Sequence, residues 1–350
     1  MRPASAKTEM VEGHTSSIGA LFGPLRNFMG LLTLKLIMRR QLRAGQFVSR
    51  HVQLSDGRIV HCFDSPGRED KPVLLVLPGA TMSAMTTAVR CVSIVKQLMG
   101  HRVVVMELPH HGEHAHHTMN FDQYPWDQDS VVRDTKAFVD ALGLQEPHDL
   151  LGFSFGGGVS ALYLAKHPSS VRRAILLAPF LAELAHEDFA DVLRAGEWNR
   201  IHAWETPEDM QHFFRTWLGM NDDNTPGRFM LNALYRHRTQ TYPRRHFARF
   251  FQTIAERKLG DVGLLERYQA ALRDARVPTL LLYGDRDTVC DASKMPVLAD
   301  ALGRQYCTVG SVASGHSFAE RRGKGIFRMA ANDICAFLQD TKEPAQRDKR

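Results

Sequence analysis

The stretch "LLGFSFGGG", Leu150 to Gly158, decides how the rest of the chain is read. A continuous apolar run, "HDLLGFS", leads into it as a buried strand, and an apolar helix follows from Gly156 to His167. At the junction Gly152, Ser154 and Gly156 spell G-x-S-x-G. A serine on a sharp strand-to-helix turn exposes its hydroxyl, and glycines two residues to either side relieve the crowding of strand against helix. The helix N-terminus behind it brings backbone N–H groups alongside. The pattern predicts a nucleophile at Ser154; the competing reading is an ordinary turn serine.

Working outward, the same alternation repeats. "SRHVQL" and "DGRIVHCFDSPG" read as a hairpin, and "KPVLLVLPG" as a buried strand ending in a Pro-Gly turn. A helix over about Thr87 to Met99, the strand "HRVVVMELP" and a helix over about Trp126 to Leu142 complete the approach to Ser154. The strand "RRAILLAPF" follows. Continuous apolar strands alternating with helices imply an α/β fold with a mostly parallel sheet covered on both faces. The alternation stops near Phe180, and from Leu181 to about Arg276 helices follow one another. "TPED", Thr206 to Asp209, is a helix start with Thr as N-cap and Pro at the first position. Strands return as "VPTLLLYG" and "YCTVGSV", and a last helix runs over about Ile326 to Leu338. The expected organisation is an N-terminal segment 1–45, a core of 46–180 with 277–340, a helical cap 181–276 inserted after the sixth core strand, and a polar tail 341–350. A cap so placed lies over the carboxyl edge of the sheet, where ligands bind.

A serine hydroxyl needs a base, and the base an orienting acid. Asp285 and Asp287 follow one buried strand, in "LLLYGDRDTVC", and His316 follows the next, in "SGHSFAE". Both loops leave the same sheet edge as Ser154, which singles out His316 among seventeen histidines. An oxyanion hole needs two N–H donors. The expected donors are the amides of Phe155, next after the nucleophile, and Ala80, after the turn at Pro78-Gly79.

The motifs PGAT, ELPHHGEH, GFSFGG, GDRDTV and GHS, in that order, resemble the serine α/β-hydrolase superfamily over roughly residues 47 to 340. "RHVQLSDGRIVHCFDSP", "TPEDMQHFF" and "MPVLADAL" are similar to its membrane-attached monoacylglycerol lipase branch. The resemblance implies that the acid of G-x-x-D is Asp287 rather than Asp285. It implies a serine hydrolase of carboxylic esters with the triad Ser154, Asp287 and His316, Ala80 and Phe155 at the oxyanion hole, and acylglycerols or other lipid-like esters as substrates. No cofactor or metal is needed. Thioester or carbon–carbon bond cleavage by the same triad is the enzymatic alternative, and an idle receptor or scaffold the non-enzymatic one. The chain departs from the family's His-Gly at Pro78-Gly79, from a small residue or methionine at Phe155, and from glycine at His110. Phe213, Phe214, Trp217, Phe229, Met230 and Leu231 of the cap either line an acyl tunnel or form helix core.

Charge and composition narrow the partners. The excess of six positive charges matches Arg26, Lys35, Arg39, Arg40, Arg43 and Arg50, which lie in an acid-free segment; the remaining 38 Lys and Arg equal the 38 Asp and Glu. A general nucleic-acid surface is therefore not indicated. Residues 17–43 instead read as a basic amphipathic helix, lying on a membrane surface or packed on its own domain or a second subunit. Pro24, Arg26 and Lys35 interrupt it too often for a spanning helix. Five scattered cysteines without C-x-x-C and a polar start without a secretory pattern favour an intracellular setting. His110, Glu113 and His114 form H-x-x-E-H, the spacing of a zinc peptidase. Pro109 and Gly112 oppose the helix that such a site requires.

Overall fold

The computed structural model describes residues 17–80, 82–109, 111–112, 124, 127–144, 146–201, 204–220, 227–241, 250–253, 263–317 and 326–340. Eight strands form one sheet: β1 (Val48–Gln53), β2 (Ile59–Ser65), β3 (Val73–Leu77), β4 (Arg102–Met106), β5 (His148–Phe153), β6 (Val171–Leu177), β7 (Thr279–Gly284) and β8 (Cys307–Val312). Their order is β1-β2-β4-β3-β5-β6-β7-β8, antiparallel through β1, β2 and β4 and parallel from β4 onward. The chain steps from β3 outward to β4 and then returns to place β5 against the other side of β3, pairing Leu77 with Gly152. That reversal opens a crevice at the carboxyl ends of β3 and β5, the place where open α/β sheets bind ligands.

The helices are α1 (Ser17–Ala44), α2 (Ala84–Gln97), α3 (Gln128–Leu142), α4 (Phe155–Lys166), α5 (Glu187–Arg194), α6 (Trp198–Ile201), α7 (Pro207–Thr216), α8 (Arg228–Thr241), α9 (Leu264–Ala275), α10 (Met295–Leu302) and α11 (Ile326–Gln339). The period-two alternation of the buried strands sorts their side chains to two cores. Leu74, Val76, Val103 and Val105 face α2 and α11, whereas Leu75, Leu77 and Val104 join Phe138, Leu162 and Leu298 on the opposite face. Helix starts follow their caps: the Ser83 side chain accepts from Thr86 N and begins α2 ahead of the expected Thr87, and Asp127 does the same for α3. α7 begins with the expected capping box, Thr206 and Asp209 each accepting the other's amide behind Pro207.

Between β6 and β7, where the sequence predicts successive helices, α5, α6, α7, α8 and α9 follow one another. α9 packs against α4 and α10 and so continues the helical layer on one face of the sheet. α1 lies against α2 and α8. Gly30, Leu34, Met38 and Leu42, spaced by four, form its buried stripe; a methyl at Gly30 would stand 3.3 Å from Ala233 Cβ of α8. The other side exposes Phe28, Met29, Leu32, Leu36 and Ile37. Among the described residues, no helix is long and apolar enough to cross a membrane.

Candidate active site

Ser154 stands between the last residue of β5 and the first of α4 with φ 52° and ψ −118°. This left-handed backbone costs a side-chain-bearing residue about 1–3 kcal/mol and persists only where neighbours over-determine it. Here they do. Ser154 N donates to Leu177 O at 2.9 Å, while Ser154 O accepts from Phe180 N at 2.8 Å and Gly158 N at 3.0 Å. The flanking glycines are required by contact: a Cβ at Gly152 would meet Gly156 O at 2.2 Å, and one at Gly156 would meet Leu77 O and Pro78 O at 2.4 Å. The turn thus presses β5, α4 and the end of β3 together.

His316, in the loop after β8, places Nε2 2.9 Å from Ser154 Oγ and Nδ1 2.8 Å from Asp287 Oδ2. With Nδ1 protonated, the ring donates to the carboxylate and accepts from the serine hydroxyl. The other carboxylate oxygen, Asp287 Oδ1, accepts from Val289 N at 2.8 Å and Cys290 N at 2.9 Å, which fixes the acid's rotamer. All three side chains belong to buried residues, and the Phe153 ring packs 5.4 Å from the imidazole. Asp285, the other acid weighed from the sequence, is half-exposed and accepts from Ser314 N at 3.0 Å. It braces the histidine loop from outside, so the structure brings Asp287 to His316 and leaves Asp285 apart.

The two expected oxyanion donors come from segments in contact. Phe155 is the first residue of α4, so its amide has no carbonyl one helical turn back. Ala80 follows Gly79, where an added methyl would lie 3.3 Å from Ser154 Cβ. Both residues line one cavity with Ser154 and His316. The Phe155 ring is buried edge-on against Phe250, 4.9 Å away.

That cavity has a volume of about 180 Å³ and opens to solvent. Phe180, Phe189, Trp204, Met210, Phe213, Phe214 and Leu218 give it an aromatic, apolar wall, and α8 adds Leu234, His237 and Arg238. Of the six cap residues weighed from the sequence, Phe213 and Phe214 face the cavity. Trp217 and Leu231 are buried in the core, Met230 packs toward α1, and Phe229 is exposed. The wall is also tied to the sheet edge. Thr288 Oγ1 donates to Thr216 O at 3.0 Å, and Ser317 Oγ donates to Leu218 O at 2.8 Å.

Sequence reasoning missed a further buried group. Glu107, after β4, accepts from Ala84 N at 2.8 Å and so anchors the start of α2, directly behind the Ala80 turn. Gly112, with φ +80°, lies against it: a methyl there would fall 1.9 Å from Glu107 Oε2. The signal was Glu107 standing just after a buried valine run, but nothing local says that its partner is an amide 23 residues earlier. His110, Glu113 and His114 lie outside the described residues. Among those described, the grouping with metal-ligand geometry is Asp287, Cys290 and His316, which includes the acid and base just described. Cys290 Sγ donates to Ala178 O, and burial pushes its thiol well above the ordinary range. The donor set is already spent on protein hydrogen bonds.

A family model described as alpha/beta hydrolase fold matches residues 72–319. No curated protein matches the sequence. Among solved structures, the chain is similar to a candidate lipase from Acinetobacter baumannii AYE, with TM-score 0.68, 17% identity, and coverage of 87% of this chain and 95% of that one. It is also similar to a bacterial membrane phospholipase A described as a virulence factor, with TM-score 0.67, 23% identity and coverage of 92% and 94%. The carboxylesterase CesB of Bacillus subtilis aligns with TM-score 0.60, 15% identity and coverage of 89% and 99%.

Proposed function

The chain belongs to the α/β-hydrolase family, and from that premise we propose that it is a serine hydrolase of carboxylic esters, with lipid-like acyl esters as the substrate class. One observation carries the reading: the unbroken hydrogen-bond relay from Ser154 through His316 to Asp287, buried at the floor of an aromatic cavity. In this chemistry Ser154 Oγ attacks the ester carbonyl as its proton passes to His316 Nε2. Asp287 Oδ2, held by two amides through its twin oxygen, keeps the imidazole oriented and stabilises the imidazolium. The amides of Phe155 and Ala80 meet the charge that develops on the carbonyl oxygen. His316 then returns the proton to the departing alcohol, leaving an acyl group on Ser154 that water removes by the same route.

Support for an acyl chain comes from the wall: among the described lining residues fourteen are apolar and seven polar, which makes the cavity suited to hydrocarbon. Of the helices within 181–276, α5, α7 and α8 act as its cap and form the roof, whereas α9 belongs to the layer on the sheet. For the N-terminal segment we propose peripheral contact with a membrane surface. The exposed Phe28, Leu32, Leu36 and Ile37 adjoin Lys35, Arg39, Arg40 and Arg43, an apolar strip bordered by cations.

A fluorophosphonate probe tests the chemistry. Wild type should label stoichiometrically and Ser154→Ala not at all. Equal labelling of both, or of neither across a range of pH, sinks the proposal. Vesicle co-sedimentation tests the surface contact: pairing Leu32→Glu with Leu36→Glu, both exposed, should release the protein from anionic vesicles, and unchanged sedimentation removes that part of the reading.

A further inference from the structure

A polar stripe of the cavity runs along α2. Ser83, Thr86 and Arg90, at i, i+3 and i+7, face the lumen together. Ser83 stands beside the Ala80 turn, and the helix rises about 10 Å over the seven residues to Arg90. Arg90 therefore lies about two helical turns from the end of α2 that stands beside the carbonyl site.

Arg90 differs from the other arginines that the body of the protein encloses. Arg58 pairs with Asp134, Arg102 with Asp64 and Arg172 with Asp149, each within 2.8 Å, and Arg173 donates to the Phe337 and Leu338 carbonyls. Among the described residues Arg90 has no carboxylate and no carbonyl in reach; its hydrogen-bond acceptor is the Met82 thioether sulfur at 3.9 Å. A thioether is a weak acceptor and leaves most of the five guanidinium donors unspent. Burial pulls the guanidinium down to about 10, so it still carries its charge at neutral pH. The surroundings do nothing to neutralise it: the described cavity lining contains two arginines and two histidines and no Asp or Glu. Arg238 lies with its guanidinium 4.6 Å over the Trp204 ring, a cation–π contact. Arg90 is half-buried; a cation kept there without a partner is held at a cost, and a ligand that brings the missing anion removes it.

We infer that Arg90 is the specificity-determining residue for an anionic group, a carboxylate or a phosphate, carried by the ester substrate about two helical turns along α2 from the carbonyl site. This rests on the ester-hydrolase reading of the same site. The natural substrate is then an amphiphilic anion rather than a neutral ester: its acyl or alkyl part lies along the aromatic wall and its charge sits in the planar fork of Arg90. The anion can belong to either side of the ester bond, as the terminal carboxylate of a dicarboxylic half-ester or as the phosphate of a lysophosphatidate.

The test compares matched substrates on wild type, Arg90→Met and Arg90→Lys. One pair is 4-nitrophenyl hexanoate and the mono-4-nitrophenyl ester of adipate; the other is 1-oleoylglycerol and 1-oleoyl-lysophosphatidate. The anionic-to-neutral ratio of kcat/KM should fall at least about tenfold in Arg90→Met, mainly through KM, for one pair. The affected pair tells whether the charge lies on the acyl or the alcohol side. Arg90→Lys should restore part of the ratio, since charge returns without the fork. An unchanged ratio in both pairs overturns the assignment. A second readout, independent of turnover, is calorimetric binding of adipate monohexyl ester and of oleoyl phosphate. It compares the Ser154→Ala protein with the double variant that combines Ser154→Ala and Arg90→Met. If wild type turned over no ester while binding still depended on Arg90, the hydrolase reading would sink and the anion site would stand. Binding indifferent to Arg90→Met would sink the anion site itself.

Discussion

At the floor of the cavity, side chains are fixed by backbone. Ser154 is pinned by three main-chain hydrogen bonds, and Asp287 by two amides. In the roof, α5 and α7 are held by rings. Phe189 meets Trp217 at 5.2 Å, and Trp204 meets Phe213 at 5.2 Å. Backbone hydrogen bonds have narrow geometry, whereas aromatic contacts of this kind tolerate a range of offsets and tilts at about 0.5–1.5 kcal/mol each. The floor is built for one arrangement of atoms, and the roof for a class of shapes.

The contrast predicts a steep gradient of mutational effect from floor to roof. Ser154→Ala should lower kcat/KM on 4-nitrophenyl hexanoate by roughly 10⁴-fold or more, measured against protein of unchanged circular dichroism. Asp287→Asn should follow at roughly 10⁴-fold, because the imidazole loses its orienting acceptor; Asp285→Asn, half-exposed, should cost less than about tenfold. If the two asparagine variants behaved alike, the distinction between relay and brace would break. In the roof, Phe214→Ala should reduce kcat/KM on long-chain esters by only about tenfold, roughly 1.4 kcal/mol, with a smaller loss on butyrates. A loss as deep as that of Asp287→Asn would mean that the roof is also part of the fixed machinery. Thr288→Val, which cuts the tie to Thr216 O, should cost about 1 kcal/mol of stability in urea titrations.

Acid sensitivity offers a control away from both regions. His148, at the start of β5, is fully buried, and desolvation holds it at about 4 against an ordinary 6.5. Below pH 6.5 the unfolded chain binds a proton that the folded chain refuses, so stability falls as pH drops from 6.5 toward 4. The total lost through this group is on the order of 3 kcal/mol. Urea unfolding at about pH 7.5 and about pH 4.5 should show the drop, and His148→Leu should flatten it. A steep drop retained in that variant would place the acid-labile group elsewhere.

The sequence disclosed the floor far better than the roof, for a physical reason. Strand, elbow and helix around Ser154 are local: they are dictated by residues within about a dozen positions, and chain order brings the loops bearing Asp287 and His316 to the same edge. Choosing Asp287 over Asp285 needed either family resemblance or coordinates, since both acids follow the same strand. In the roof, helices need apolar faces whether they pack on protein or line a void, so Phe213 and Trp217 look alike in sequence although Phe213 faces the cavity and Trp217 the core. α1 mixed the two expectations: its buried stripe sits on α2 and α8, while its opposite side keeps apolar residues in the open. Arg90 was invisible for a deeper reason. What distinguishes it is the absence of a partner, and only a folded arrangement can show that a partner is missing.

The backbone at Ser154 has a consequence for the molecule's own upkeep. At φ 52° every residue with a side chain is uncomfortable, and glycine is not. Ser154→Gly should therefore yield a protein that melts at a higher temperature than the natural one while doing no chemistry. On the proposed reading, the serine at this strained turn serves turnover, and its cost is legible as a deficit in heat resistance.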